Sequence, residues 1–346
     1  MRKMNTMPSN TSSFGSLYSL VSIAILSIAV ILASEPEYEN KQQHYAYANT
    51  TENLPGFNFA AAGDWGCTSH TTDTVNNIVD KNPEIALGLG DYEYYEGNAE
   101  CWFDIIQPID NIMKIAIGDH EIEDSKLPQY MEHFNLTKQY YSFDYQNVHF
   151  TVMADYLPDE IDSEQYIFVK DDLAKAAADP NIDWIVVTHH SQKYASTHNY
   201  EIPKEKEWNN IYHPLFEQYN VDLILQGHQH NYQRTYPLQY NSDSPKNPII
   251  TDTNKNTYTN PEGQIYLTVG TGGANLHKLN GNKAPYIITA QDGVYGFLNI
   301  DVTAKFLNID DTAKQGERTM LVGKFYKNHA SGGGIVTDQF TITKSE

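Results

Sequence analysis

Five short apolar runs lie along the chain, and each ends near a glycine, aspartate or histidine before a polar or amphipathic segment begins. Continuous apolar runs this short are typical of strands that are buried on both faces. The predicted strands cover residues 57–62, 85–89, 112–117, 182–188 and 221–225. The predicted helices cover residues 72–81, 164–178 and 206–219. This alternation predicts an α/β protein whose polar residues gather at the carboxyl ends of its strands.

Two regions depart from this alternation. Residues 140–155 alternate between apolar and polar positions around a turn, which predicts a β-hairpin. After about residue 264 the chain consists of strand-like segments separated by glycine-rich or asparagine-rich turns. We therefore predict an α/β fold built as a sandwich of two mixed β-sheets flanked by helices, formed by residues 56–346 as one domain.

The N-terminal segment has the pattern of an exported protein. Arg2 and Lys3 precede a nearly uncharged run over residues 17–33, which is rich in Ile, Leu, Val and Ala. A run of this length lies between a long signal peptide core and a short membrane span. We therefore predict that residues 1–34 are a signal peptide or a membrane anchor and that residues 35–55 are a polar linker. The protein is then secreted or anchored on the outer face of the cell membrane.

The chain contains only two cysteines, Cys67 and Cys101. Disulfides form and persist in the oxidising environment outside the cell, so these two residues can pair in an exported protein. A structural zinc held by four cysteines is excluded by their number.

The charge balance restricts the binding partners. Lys and Arg total 23 against 44 for Asp and Glu, which gives a formal net charge of -21. A surface of this sign repels nucleic acid and anionic lipid at long range, so we expect no nucleic-acid partner. If the protein handles a phosphorylated substrate, bound metal ions are the obvious local source of positive charge.

Short polar motifs occupy the ends of the predicted strands. Each motif alone is a weak signal, because Gly-Asp after a strand is also a common tight turn. Their occurrence together and in this order is much harder to obtain by chance. The motifs are GDWG at 63–66, GDYEY at 90–94, GDHE at 118–121, VVTH at 186–189 and GHQH at 227–230.

These motifs resemble those of the calcineurin-like metallophosphoesterases and, within that superfamily, those of the purple acid phosphatases. Tyr94 narrows the resemblance, because the wider superfamily usually lacks a tyrosine three residues after the second aspartate. The similarity extends over roughly residues 57–345 and implies a site for two metal ions. The resemblance implies that Asp64, Tyr94 and His230 bind the first metal, that Asp91 bridges both, and that Asp119, His189 and His228 complete the second.

The residue types agree with that chemistry. Carboxylate and phenolate oxygens suit Fe³⁺, whereas a pair of imidazoles suits a divalent ion such as Fe²⁺, Zn²⁺ or Mn²⁺. Two such ions can share a hydroxide that attacks a phosphate ester. We expect His120 and His198 to bind phosphate or to protonate the leaving oxygen. For His190 and His149 we expect structural roles in packing or in hairpin hydrogen bonds.

One position departs from the family pattern, because Asp119 stands where an asparagine is usual. The carboxylate keeps an oxygen ligand but adds a negative charge. A unit charge at 4 Å is worth at most about 4 kcal/mol at an effective dielectric constant of 20. We therefore expect an altered metal preference or weaker inhibition by free phosphate.

The sequence favours a phosphomonoesterase with an acid or broad pH optimum, acting on a small phosphorylated substrate. A phosphodiesterase or nucleotide pyrophosphatase would use the same metal ligands and differ only in its loops. A catalytically silent surface protein with the same fold is a third alternative, although every ligand position holds a chemically competent residue. The sequence does not indicate the oligomeric state.

Overall fold

The computed structural model describes residues 56–94, 99–123, 125–196, 205–279, 283–309 and 315–345. All of them belong to one folding unit, Pro55–Glu346. The predicted signal or anchor at 1–34 and the linker at 35–55 lie outside the described residues and stay predictions. Within the described ranges, every helix is too short or too polar to cross a bilayer.

The elements follow the predicted alternation closely. The strands are β1 (Gly56–Ala62), β2 (Ile85–Leu89), β3 (Met113–Ala116), β4 (Tyr141–Tyr145), β5 (Val148–Val152), β6 (Trp184–Thr188), β7 (Leu223–Gln226), β8 (Tyr232–Thr235), β9 (Leu238–Gln239), β10 (Ile249–Ile250), β11 (Thr257–Thr259), β12 (Ile265–Val269), β13 (Ile287–Gln291), β14 (Gly296–Thr303), β15 (Phe306–Ile309), β16 (Gln315–Lys327) and β17 (Ile335–Ser345). The helices are α1 (Ser69–Val79), α2 (Glu100–Ile106), α3 (Asp119–Glu123), α4 (Leu127–His133), α5 (Glu164–Ala178) and α6 (Glu205–Gln218).

Two large mixed sheets contain most of these strands. In the eight-stranded sheet the order is β11-β17-β16-β14-β1-β2-β3, with β15 paired to β16. In the seven-stranded sheet the order is β13-β8-β12-β7-β6-β5-β4. Strands β1, β2 and β3 are parallel to one another, as are β5, β6, β7 and β12. The predicted hairpin is the antiparallel pair β4–β5. Strands β9 and β10 form a separate two-stranded sheet.

Side chains alternate between two buried layers along the central strands. In β1, Phe57, Phe59 and Ala61 contribute to a core that also contains residues of the seven-stranded sheet. Ala60 and Ala62 belong to a second core with α1 and α2. Because successive side chains of a strand point to opposite faces, a strand buried on both faces must be apolar throughout. The predicted sandwich of two mixed sheets flanked by helices is confirmed.

Local contacts fix the helix that follows β1. Thr68 caps α1, because its hydroxyl accepts a hydrogen bond from the backbone N–H of Thr71 at 3.2 Å. The adjacent Cys67 forms a disulfide with Cys101 in α2, which confirms the expected pairing. The disulfide links the chain segments that follow β1 and β2.

Candidate metal centre

The carboxyl ends of β1, β2 and β3 in one sheet and of β6 and β7 in the other bring together aspartates and histidines from distant parts of the sequence. Two groups of possible ligands form there, and within each group one ligand atom per residue lies within 4.8 Å of the others. The first group consists of Asp64, Asp91 and His230. The second group consists of Asp91, Asp119, His190 and His228. Asp91 belongs to both groups, so the two positions are adjacent.

The backbone at these positions adopts unusual conformations. Asp64, Asp91 and His228 have φ angles of 58°, 55° and 65°. Residues other than glycine seldom adopt this left-handed region, and such strain is concentrated at functional sites. A Cβ atom at Gly90 would lie 2.5 Å from His190 Nδ1, so the glycine of the second motif lets that imidazole enter the site.

Glu121 fixes the loops that carry two of the aspartates. Its buried carboxylate accepts hydrogen bonds from the backbone N–H groups of Gly118, Asp91 and Tyr92, at 2.8, 3.0 and 2.8 Å. Burial, together with the negative charge of Asp91, raises the pKa of Glu121 to about 7. Glu121, the glutamate of the third motif, therefore holds the loops of Asp91 and Asp119 in position.

Tyr94 completes the first group. Its hydroxyl oxygen is 3.2 Å from Asp64 Oδ1, 3.4 Å from Asp91 Oδ2 and 3.1 Å from His230 Nε2. Burial, and then the charges of Asp64 and Asp91, raise the pKa of Tyr94 well above its usual value. A strongly charged cation among these atoms would be needed to displace the phenol proton.

Two imidazoles direct their Nε2 atoms toward the site. His190 Nδ1 donates to the carbonyl oxygen of Leu89 at 2.7 Å, and His230 Nδ1 donates to that of Asn275 at 2.5 Å. A carbonyl only accepts, so Nδ1 of each ring carries a proton, and Nε2 is the atom that can bind a metal once it has lost its own proton. The Nε2 atom of His190 lies 3.0 Å from Asp119 Oδ1 and 3.1 Å from His228 Nδ1.

The structure corrects the histidine assigned to the second group. His189 was expected to bind metal and His190 to pack, but His190 joins the second group and His189 does not. The buried His189 ring lies 4.9 Å from the ring of Trp208, and its Nδ1 is 3.2 Å from Asp155 Oδ2. These contacts place His189 on the helix-covered side of the seven-stranded sheet, away from the paired aspartates.

The remaining predicted site residues have different outcomes. The structure brings Asp64, Asp91, Tyr94, Asp119, His228 and His230 to one place. His120 lines a cavity of about 920 Å³ beside them, with its ring centroid 4.3 Å from that of Tyr94. His198 lies outside the described residues, so its proposed contact with substrate stays a prediction. His149 forms a hydrogen bond with Asp144 inside the hairpin, as expected, and another with Asp172 of α5.

Two residues in the loop after β5 were not predicted from the sequence. Asp155 Oδ2 accepts hydrogen bonds from the backbone N–H groups of His190 and Ser191 at 2.8 and 2.7 Å. Tyr156 places its hydroxyl 3.0 Å from Asp119 Oδ1. The available signal was an aspartate at the end of the predicted hairpin, where an apolar run gives way to polar residues as at the other motifs but without the preceding glycine.

The donor set fits two metal ions. Burial alone would lower the pKa values of His190 and His230, but the neighbouring carboxylates outweigh it and raise both. The surrounding groups therefore favour positive charge where the imidazoles meet the carboxylates. Clustered carboxylates and oriented imidazoles are ligands for Zn²⁺, Mn²⁺ and iron.

Comparisons with known proteins agree with this geometry. Purple acid phosphatases 21 and 23 of Arabidopsis thaliana are each 27% identical to this chain, over 62% and 64% of its length. The chain spans about half of these relatives, at 49% and 53% of their lengths. In fold, it is similar to the purple acid phosphatase PPD1 from yellow lupin (Lupinus luteus) seeds, with a TM-score of 0.67 and 22% identity. That match covers 84% of this chain and 54% of the lupin chain.

The model of the calcineurin-like phosphoesterase family matches residues 57–232, which is just over half of the chain. The family and the purple acid phosphatase relatives imply a dinuclear metal centre, and the matched segment contains both ligand groups described above. The chain therefore belongs to the calcineurin-like phosphoesterase family.

Proposed function

We propose that this protein is a binuclear metal-dependent phosphatase that hydrolyses small phosphate monoesters. The observation that carries the proposal is the pair of ligand groups sharing Asp91, with donor atoms within 4.8 Å in each group. When bound, two metal ions would polarise the phosphoryl oxygens and supply a nucleophile from water. The family and its purple acid phosphatase relatives support the same reaction class.

The two groups favour different ions. Asp64, Asp91 and Tyr94 would offer hard oxygen donors to the first ion, which supports Fe³⁺ at that position. The second group contributes two imidazoles, His190 and His228, which suit Fe²⁺, Zn²⁺ or Mn²⁺. A mixed pair of Fe³⁺ and a divalent ion is therefore the cofactor that we propose.

The protein's own residues would bind the substrate and supply a proton to the leaving group. His120 lies at the cavity beside the first group, where a charged imidazole can hold a phosphate oxygen or protonate the departing one. Glu121 and Asp155 would keep the ligand loops in place, because each accepts backbone hydrogen bonds from them. The net charge of -21 opposes nucleic acid as a substrate.

We also propose that the protein acts outside the cell, either released or held at the membrane by its N-terminus. The disulfide between Cys67 and Cys101 supports this location, because such bonds are rare in the cytosol.

Metal analysis of the purified protein with its visible absorption spectrum tests the proposal. We expect two metal ions per chain and a phenolate-to-Fe³⁺ absorption band that disappears in Tyr94→Phe. Tyr240→Phe is the matched control, because it removes a hydroxyl bonded to Asn210 and the band should persist. Absence of bound metal, or a band that survives Tyr94→Phe, would contradict the assignment.

A second measurement tests the reaction and the corrected ligand. Hydrolysis of p-nitrophenyl phosphate should exceed that of bis-p-nitrophenyl phosphate, and the reverse order would indicate a phosphodiesterase.

His190→Ala should lose the second metal and the activity, whereas a folded His189→Gln should retain both metals. Metal loss confined to His189→Gln would restore the original assignment of that residue.

A further inference from the structure

The side chain of Tyr156 lies next to the carboxylate that distinguishes this chain from its family pattern. Its phenol oxygen is 3.0 Å from Asp119 Oδ1 and 3.1 Å from Ser191 Oγ. An ionised carboxylate only accepts hydrogen bonds, so Tyr156 donates to Asp119. The Ser191 hydroxyl can then donate to the phenol oxygen, which gives a directed chain from Ser191 through Tyr156 to Asp119.

This chain of hydrogen bonds connects the two sheets. Asp119 begins α3, directly after β3 of the eight-stranded sheet, whereas Ser191 follows β6 of the seven-stranded sheet. The neighbouring Asp155 accepts the backbone N–H groups of His190 and Ser191, which fixes the loop on its side. Two consecutive residues after β5 thus hold ligands of the second group that come from different sheets.

A carboxylate at position 119 strengthens this arrangement. Asp119 Oδ1 also lies 3.0 Å from His190 Nε2 and 3.2 Å from His228 Nδ1, so the oxygen that Tyr156 contacts faces the other ligands. A hydrogen bond to an ionised acceptor is roughly twice as strong as one between neutral groups. An asparagine oxygen at this position would therefore gain less from the phenol than the aspartate does.

We propose that Tyr156 is a positioning residue that orients Asp119 for the second metal ion and spreads its additional negative charge. The proposal rests on the metal centre described under the proposed function. It assigns a partner to the aspartate at position 119, so that the phenol and the carboxylate act as a pair. Removal of a residue that orients a metal ligand typically lowers metal affinity by about 10- to 100-fold, and the expected effect below uses this range.

The test is a double-mutant cycle read by metal affinity. The parent, Tyr156→Phe, Asp119→Asn and the double variant are stripped of metal and titrated with Mn²⁺ or Zn²⁺ in competition with a chelator. With Asp119 present, we expect Tyr156→Phe to lower the affinity for the second metal ion about 10- to 100-fold. In the Asp119→Asn background, the same substitution should lower that affinity less than about 3-fold. The first binding event should not change. Tyr240→Phe, which loses a comparable hydroxyl contact with Asn210, should match the parent in both events.

The outcomes separate this inference from the proposed function. A parent that binds no divalent ion removes both. If the parent binds two ions, two results contradict only the role of Tyr156. The first is that Tyr156→Phe has the same metal affinity as the parent, and the second is that it weakens the affinity equally beside Asp119 and beside asparagine. Thermal unfolding of the metal-free proteins identifies any variant that fails to fold. In that case Ser191→Ala, which removes the donor to Tyr156, should weaken the second binding event in the same direction, and an unchanged affinity would overturn the proposal.

Discussion

A buried ion pair connects the two sheets of the domain. Arg234 in β8 is fully buried and forms a bidentate salt bridge with Asp338 in β17. Nε lies 2.7 Å from Oδ2, and Nη2 lies 2.8 Å from Oδ1. The same carboxylate accepts a hydrogen bond from the Tyr232 hydroxyl at 2.8 Å. The guanidinium also donates to the Lys255 carbonyl oxygen at 2.9 Å and lies 5.0 Å from the centre of the Phe340 ring.

Asp338→Asn would leave the Arg234 charge buried with a neutral partner of nearly the same shape. Opposite unit charges about 4 Å apart interact by roughly 4 kcal/mol at an effective dielectric constant of 20. Removal of one partner from a buried pair commonly costs about 3–5 kcal/mol, because the remaining charge is not compensated. The asparagine oxygen still accepts one hydrogen bond, so we expect a loss of about 3–4 kcal/mol in the free energy of unfolding.

Urea unfolding followed by circular dichroism measures this loss. Asp301→Asn is the matched control, because Asp301 pairs with Lys324 at 3.1 Å but the two side chains are 46% and 28% exposed. Solvent screens such a pair, so the control should lose less than about 1 kcal/mol. If both variants lose the same free energy, burial does not set the strength of the Arg234–Asp338 pair and the reasoning is wrong.

Two further predictions concern stability. Replacing both Cys67 and Cys101 by alanine should lower the free energy of unfolding by about 3–4 kcal/mol in urea denaturation, because the disulfide closes a loop with a sequence separation of 34; an unchanged midpoint would contradict this. Burial alone would lower the pKa of His149, but hydrogen bonds with Asp172 and Asp144 outweigh it and raise the pKa above 6.5. The charged His149 therefore stabilises the folded protein fully below about pH 6.5, and this contribution is lost as pH rises through the folded-state pKa. His149→Gln should therefore destabilise the protein more at about pH 5.5 than at about pH 9 in thermal unfolding, and an equal loss at both would refute the assignment.

The alternation of apolar runs and motifs was sufficient to predict the sandwich and the gathering of polar residues at the carboxyl ends of its strands, whereas the assignment of these residues to two metal positions came from the resemblance. Runs buried on both faces leave few alternatives to central strands, and parallel strands bring their carboxyl ends to one edge. Asp64 and Asp91 follow β1 and β2, which are neighbours in parallel register, so their proximity could be inferred from order alone. His230 was placed by resemblance, because the antiparallel strand β8 that follows it has no predictable partner.

Contacts between the sheets could not be predicted in the same way. Tyr156 reaches Asp119 across a sequence separation of 37, and Arg234 reaches Asp338 across 104. Neither pair shares a motif, and a tyrosine in a loop or an arginine in a strand has many possible partners. These contacts depend on how the two sheets face each other, which the local pattern of the sequence does not contain.

The choice between His189 and His190 depends on the alternation of side chains along β6. Trp184 and Val186 belong to the core between the sheets, whereas Ile185 and Val187 belong to the core with α5 and α6. Continued past the strand end, this alternation sends the side chain of residue 190 toward the sheet interface and that of residue 189 toward Trp208. Both faces of β6 are apolar, so the sequence does not distinguish them. A shift of the strand by one residue would move every side chain to the opposite face of the sheet. The hydrogen bond from His190 to the Leu89 carbonyl oxygen then fixes the ring from the other sheet, so the metal ligand is selected by the packing of the sandwich.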